Sequence, residues 1–185
     1  MQRRVLVMGF GPFLTITDNP AARLAREIDG MTRGDVALVG RVMPVSFERA
    51  VSETRAAVAE VAPVALIGIG VARMRSVITV EALGRNSADG KTPDVDGVCR
   101  LCLDADGPPQ RSVTYPTASL ASRIGAVVGY DAGRYVCNAW IYEMLQAPCS
   151  RPPIGFIHIP PAGLQASLLA DALAEIEGIT HGTQR

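Results

Sequence analysis

The chain is poor in the side chains that several common functions require. Among its 185 residues there is one lysine, Lys91, and there are two histidines, His158 and His181. Its 18 basic and 18 acidic side chains cancel to a formal net charge of zero. That balance argues against a nucleic-acid binder, which needs a cationic surface to displace counterions. No stretch approaches the ~20 consecutive apolar residues of a membrane-spanning helix. The basic start at Arg3-Arg4 precedes an apolar run too short for a secretory leader, and a turn rich in Phe and Pro follows at once, so a buried first strand is expected there. Four cysteines, Cys99, Cys102, Cys137 and Cys149, do not make a disulfide framework in a chain this long. Reduced thiols in a cytoplasmic setting are expected.

Several familiar motifs are incomplete. Cys99-Arg100-Leu101-Cys102 has metal-ligand spacing but no second pair, which excludes a zinc ribbon or finger. Asp94-Val95-Asp96-Gly97 and Asp104-Ala105-Asp106-Gly107 lack the further ligands and the closing Glu of a calcium loop, and read as acidic turns. Gly9-Phe10-Gly11-Pro12-Phe13 fails as a dinucleotide fingerprint: Leu14 stands where the third glycine belongs and Pro12 removes a backbone donor. No metal site is expected.

What is present is a regular alternation of short β-branched runs and amphipathic stretches. Strands are expected at Arg4–Met8, Val36–Val42, Val64–Ile69, Val77–Ala82, Ala126–Val128 and Ile154–Ile159. Helices are expected from Pro20, capped by Asn19, to Gly30; over Phe47–Val61, capped by Ser46; and over Thr117–Ile124, Asn138–Leu145 and Leu164–Ile176. Gly84–Pro109 reads as a long loop or irregular hairpin, and a loop of that length in a compact domain is usually functional. Repeats, low-complexity tracts and linkers are absent. The pattern predicts one α/β domain over residues 1–185, a three-layer α/β/α sandwich around a mostly parallel twisted sheet. Residues 179–185 read as a frayed polar tail. Ligands of such sheets usually sit off the strand ends.

Three side chains suggest chemistry. Cys137 lies where Gly133–Val136 turns into a helix. A thiol at a helix N-terminus is expected to have a lowered pKa and to sit beside backbone N–H groups able to bind an oxyanion. His158 ends an apolar strand, where a polar ring needs a partner. With His181 in the tail, His158 is the only base available to Cys137. Glu81 ends Val77-Ile78-Thr79-Val80-Glu81 and offers a carboxylate to orient an imidazole. Taken singly, each has a plainer reading: a buried structural cysteine, a satisfied core histidine, a surface carboxylate. Phe10 and Phe13 are placed to sandwich a small flat ligand, or simply to pack in the core.

Together these segments resemble the pyroglutamyl peptidase I (pyrrolidone-carboxylate peptidase) family of cysteine peptidases. Gly9-Phe10-Gly11-Pro12-Phe13 with Asn19-Pro20 resembles its N-terminal motif, and Pro44-Val45 and Gly68-Ile69-Gly70 its next two blocks. Ile78-Thr79-Val80-Glu81 with Asn86 resembles the glutamate block. Ala132–Asn138 with Tyr142 resembles the nucleophile block, and His158-Ile159-Pro160 the histidine block. Each match alone is weak; three catalytic blocks in order are specific.

The resemblance implies a Cys137–His158–Glu81 triad that removes an N-terminal pyroglutamyl residue from a peptide through a thioester. It also implies no metal or cofactor, a small peptide substrate with a blocked N-terminus, and a homo-oligomer, dimer or tetramer. Phe10, Phe13, Gly70, Val71 and Lys91 would bind the substrate. The chain departs from the pattern around that pocket. Leu14-Thr15 replaces a Gly-Gly pair. Val71 replaces a glutamine. Lys91 replaces an arginine and so loses the planar fork. The chain is also shorter than typical members between Gly97 and Tyr115. Two alternatives follow from these departures: a related thiol amidase or peptidase with altered acyl specificity, or a non-catalytic binding or assembly protein on the same scaffold.

Overall fold

The computed structural model describes residues 2–146 and 152–182. Cys149 lies outside them. Seven strands form one sheet in the order β2-β3-β1-β4-β9-β5-β8, where β1 is Arg3–Phe10, β2 Thr32–Arg33, β3 Val36–Met43, β4 Ala65–Val71, β5 Thr79–Glu81, β8 Val127–Gly129 and β9 Ile154–Ile159. The pairs β3–β1, β1–β4 and β4–β9 are parallel. Strand β5 runs antiparallel to β9, and β8 runs parallel to β5. The short edge strand β2, unforeseen in the sequence, is antiparallel to β3. Two residues are too few to show a period.

The central strands are apolar on both faces because both faces are covered. Val5 and Val7 join Leu24 and Ile28 of α1 (Pro20–Ile28), Leu120 of α3 (Thr117–Arg123) and Leu169 and Leu173 of α5 (Ala166–Gly182). Leu6, Met8 and Phe10 point the other way, to Ala50 and Val51 of α2 (Arg49–Val61) and to Val136, Ala139 and Trp140 of α4 (Val136–Met144). Alternation along a single strand thus feeds two cores, and three layers result.

Helix starts follow local chemistry. Asn19 Oδ1 accepts from the Ala21 N–H at 2.9 Å, and Pro20 occupies the first helical position. Ser46 does act on the second helix, accepting from Arg49 N–H at 3.1 Å, but Phe47 and Glu48 form a turn and regular helix begins only at Arg49. Helix α5 continues to Gly182, into the stretch read as tail.

The long segment after Glu81 is an irregular hairpin. Its base is β6 (Leu83–Arg85) paired antiparallel with β7 (Gln110–Ser112). Three polar side chains organise it. Asn138, buried on α4, accepts from Arg85 N–H at 2.7 Å and donates to the carbonyls of Arg85 and Ser87. Asn86 donates to Asp104 O at 2.6 Å and accepts from Asp104 N–H at 2.9 Å. Tyr142 donates to Pro108 O at 2.7 Å. The acidic turn at Asp94 closes on itself: its carboxylate accepts from the N–H groups of Phe47, Asp96 and Val98.

Candidate active site

Sheet register brings Glu81 and His158 together. In the β5–β9 pair Thr79 is opposite His158 and Glu81 is opposite Phe156. Residues two apart share a face, so Glu81 and His158 are diagonal neighbours on the side covered by α2 and α4, within reach of long side chains. His158 Nδ1 lies 2.7 Å from Glu81 Oε1, with both residues buried. Beside an ionised carboxylate Nδ1 is the donor, which leaves Nε2 as the basic nitrogen.

Cys137 arrives from above. It is the second residue of α4, reached through a turn in which Gly133 has φ 81° and Asp131 Oδ1 accepts from the Gly133 N–H. Gly70, paired with His158 across β4–β9, lets the thiol approach. A methyl group on Gly70 would meet Cys137 Sγ at 2.8 Å and His158 Cδ2 at 3.3 Å. Thiol and imidazole therefore flank one point on the sheet. On the far side, Gly129 of β8 is paired with Glu81, and a methyl there would meet Glu81 Oε2 at 2.6 Å. At both glycines the thiol or the carboxylate occupies the space that a Cβ would need.

Electrostatics corrects one expectation. The helix N-terminus does not leave Cys137 acidic. Burial of the thiol, reinforced by the negative charge of Glu81, pushes it up to about 12, outweighing the backbone amide and Arg75. Burial thus favours the protonated thiol. Burial also opposes the charge on Glu81, but the hydrogen bond and charge of His158, then those of Arg75, outweigh it and hold the carboxyl below its ordinary value. Arg75 Nη1 is 2.6 Å from Glu81 Oε1, the same oxygen that faces His158.

A cavity of about 280 Å³ opens onto Cys137 and His158, with Val71, Phe13, Tyr135 and Arg134 among its walls. The Phe13 and Tyr135 rings stand 6.3 Å apart, and Tyr135 meets Phe47 edge-on. A larger cleft of about 440 Å³ lies beside Pro20, Arg23 and Gly163, but its walls carry no nucleophile.

Of the residues assigned to substrate binding, Phe13 and Val71 line this cavity and Gly70 lies beneath the thiol. Phe10 does not line it; its ring is buried against Phe156, because the alternation of β1 sends it into the core. Lys91 does not line it either. It is exposed in the hairpin, where its N–H donates to Asp89 Oδ1 in a local turn. The sequence reading missed Arg75, Gly129 and the hairpin clamp of Asn138. The signal for Arg75 was available: a carboxylate in an apolar strand must find a cation, and Arg73 and Arg75 lie just upstream. Nothing local marks Gly129.

A buried carboxylate, an imidazole it orients and a thiol across one glycine form a constellation capable of acyl transfer. Relatives share the architecture that builds it. A sequence profile for pyroglutamyl peptidase matches residues 3–172. The pyrrolidone-carboxylate peptidase of Thermococcus litoralis is 33% identical over 168 residues, spanning 85% of this chain and 76% of that protein. The pyrrolidone-carboxylate peptidase of Enterobacter sp. strain 638 is 34% identical over 179 residues, spanning 92% and 84%. The solved structure of the Thermococcus litoralis pyrrolidone carboxyl peptidase superposes with a TM-score of 0.86 at 26% identity, covering 99% of this chain and 96% of that one. Pyroglutamyl peptidase I from Bacillus amyloliquefaciens superposes at 0.85, with 26% identity and coverage of 97% and 95%. Register, site and kinship agree: this chain belongs to the pyroglutamyl peptidase family, the pyrrolidone-carboxylate peptidases.

Proposed function

We propose that the chain is a cysteine exopeptidase that removes an N-terminal pyroglutamyl residue from peptides, with Cys137 as nucleophile, His158 as general base and acid, and Glu81 as the group that orients and charges the imidazole. The observation that carries the assignment of roles is the 2.7 Å contact between Glu81 Oε1 and His158 Nδ1, with Cys137 Sγ and the ring edge of His158 meeting around Gly70.

Burial raises the thiol's pKa, which favours proton transfer in step with attack. Sγ bonds to the carbonyl carbon that joins the pyroglutamyl group to the next residue while its proton passes to Nε2. The imidazolium then faces the carboxylate of Glu81. The new oxyanion lies near the first-turn N–H groups of α4, which have no intrahelical acceptor. Collapse breaks the C–N bond, and His158 returns the proton to the departing amine. Water, losing a proton to Nε2, cleaves the thioester to pyroglutamate and regenerates the thiol. The cavity is near the lower end of the ~300–1,000 Å³ that drug-sized ligands occupy, in keeping with a small ring. Phe13 supplies an apolar wall for it. A reducing cytoplasmic setting suits the free thiols of Cys99, Cys102 and Cys137, and homo-oligomeric assembly comes from family resemblance.

The test is hydrolysis of a fluorogenic pyroglutamyl amide by the reduced protein, with Cys137→Ser as control. Turnover that falls by at least about 10³-fold in the variant is expected. Val71, which offers no side-chain amide to a ligand, supports a second reading in which a related acyl group is preferred. Efficient cleavage of an alternative acyl amide, with the pyroglutamyl amide resistant, would favour it.

A further inference from the structure

Arg75 belongs to no strand or helix and is partly exposed, yet its guanidinium joins the two halves of the site. Nη1 reaches Glu81 Oε1 at 2.6 Å, and Nη2 donates to Asp131 O at 2.5 Å. Asp131 begins the turn that delivers Cys137, and its side chain holds Gly133 in that turn. One planar fork therefore ties the carboxylate that orients the base to the loop that positions the nucleophile.

The placement answers an electrostatic problem. Glu81 is 0% exposed, and Oε2 has no hydrogen-bond partner among the described residues. The titratable and charged groups facing it are His158 on β9, Cys137 on α4 and Arg75; β8 offers only Gly129. The reaction cycle changes the charge of His158, and a thiol carries no positive charge in either protonation state. Arg75 alone is a permanent cation. Without it, Glu81 would be a buried carboxylate beside a neutral imidazole for part of each cycle, the situation in which a carboxyl takes up a proton.

We infer that Arg75 is a positioning residue of the catalytic site: it keeps Glu81 ionised whatever the protonation state of His158, and it fixes the nucleophile turn relative to the Glu81–His158 pair. The activity readout of this inference rests on the proposed peptidase function. A second readout, alkylation of Cys137 by iodoacetamide followed by mass mapping of the Cys137 peptide, does not.

Both readouts are measured against pH for the wild-type chain, Arg75→Gln and Arg75→Lys. For Arg75→Gln, kcat is expected to fall about 10²-fold with KM within about threefold, and the acid limb of the kcat/KM profile to move up by roughly one pH unit. The alkylation profile is expected to move in the same direction. Arg75→Lys retains the charge, so its acid limb stays in place while kcat falls about tenfold through loss of the Asp131 contact. An Arg75→Gln protein with kcat within about threefold of wild type and an unmoved limb would overturn the inference. So would equal loss in both variants with unmoved limbs, which is the signature of a purely structural role. If Arg75→Gln does not fold, Arg75→Lys decides, since a limb displaced despite the retained charge also refutes the assignment. If the wild-type chain does not cleave the pyroglutamyl amide but Arg75→Gln still shifts the alkylation profile, the pyroglutamyl reading fails and this inference stands.

Discussion

Glu81 and His158 sit on paired strands in the sheet, while Phe13 and Lys91 sit on turns outside it. The first pair is held by backbone register: Thr79, Glu81, Phe156 and His158 share one face, and no rotation of a loop can separate them. The second pair is held by local turns, an isolated bridge between Phe13 and Ile16 and the Asp89 turn at Lys91. Phe13 ends in the cavity wall and Lys91 in solvent. A residue on a buried strand inherits its position from many hydrogen bonds, whereas a residue on a turn depends on the path of a few neighbours. Chemistry placed on the sheet is therefore insulated from changes in the loops: Leu14 and Lys91, two of the departures from the family pattern, lie on turns, and only Val71 lies on a strand, β4, beside that of His158.

The contrast breaks most sharply at Gly70. Gly70→Ala places a methyl 2.8 Å from Cys137 Sγ and 3.1 Å from Phe156 Cζ, with strand β4 unable to retreat between β1 and β9. A fall in kcat/KM of about 10²-fold is expected, since misplacing a nucleophile by an ångström costs that much. Full activity in the alanine variant would mean that the site is less tightly packed than its geometry implies. Gly129→Ala probes the other flank. Its methyl would lie 2.4 Å from Thr79 Cγ2 and 2.6 Å from Glu81 Oε2, but β8 is an edge strand and can yield. Activity is expected to fall by about tenfold, with about 1–2 kcal/mol of stability lost to overpacking in denaturant unfolding. An unchanged Gly129→Ala protein would show that Oε2 is not confined there.

Acid titration sharpens the electrostatic side. The carboxyl of Glu81 is held below its ordinary value of 4.5, so its pairing contributes stability that is fully present above that value and is lost as pH falls through the lower folded one. The stability difference between wild type and Glu81→Gln should therefore hold above the ordinary value of 4.5 and narrow as pH falls below it in urea unfolding at stepped pH. A difference that stays constant below that value would mean that Glu81 is not ionised in the folded protein. The smallest effect is expected at Lys91. Lys91→Ala should leave kcat/KM within about twofold, in line with a solvated surface charge; a tenfold loss would place the hairpin against the substrate.

Much of this was legible in the residues because it depends on local or periodic signals. Alternating strands and helices with doubly apolar β1, β4 and β9 require a covered parallel sheet. The cap at Asn19-Pro20 is a local hydrogen bond, and His158 and Cys137 stand out because histidine is scarce and one cysteine begins a helix. The expected acidity of Cys137 fails for a physical reason: a helix dipole is a local property, but desolvation is set by whatever else packs around the sulfur, here the core on the α2 and α4 side of the sheet. Of the two readings open for Phe10, ligand contact and core packing, strand alternation selects the second, because Phe10 ends β1 rather than lying in the turn.

By itself the sequence determined the layer architecture and the order of the elements, through hydrophobic period and capping chemistry; it singled out His158 by scarcity and Cys137 by its place at a helix start, while Glu81 was picked out by the family resemblance. Only the tertiary structure decided that Glu81 lies diagonal to His158 across β5–β9 rather than at the surface, and that Gly70 and Gly129 make room for thiol and carboxylate. It also decided that Arg75 neutralises the buried charge and that Lys91 faces water. These outcomes depend on strand register and loop path between residues as many as 77 positions apart in the chain. Such distances are set by the packing of the whole domain; of these outcomes only the Arg75–Glu81 pair, six residues apart, had a local signal.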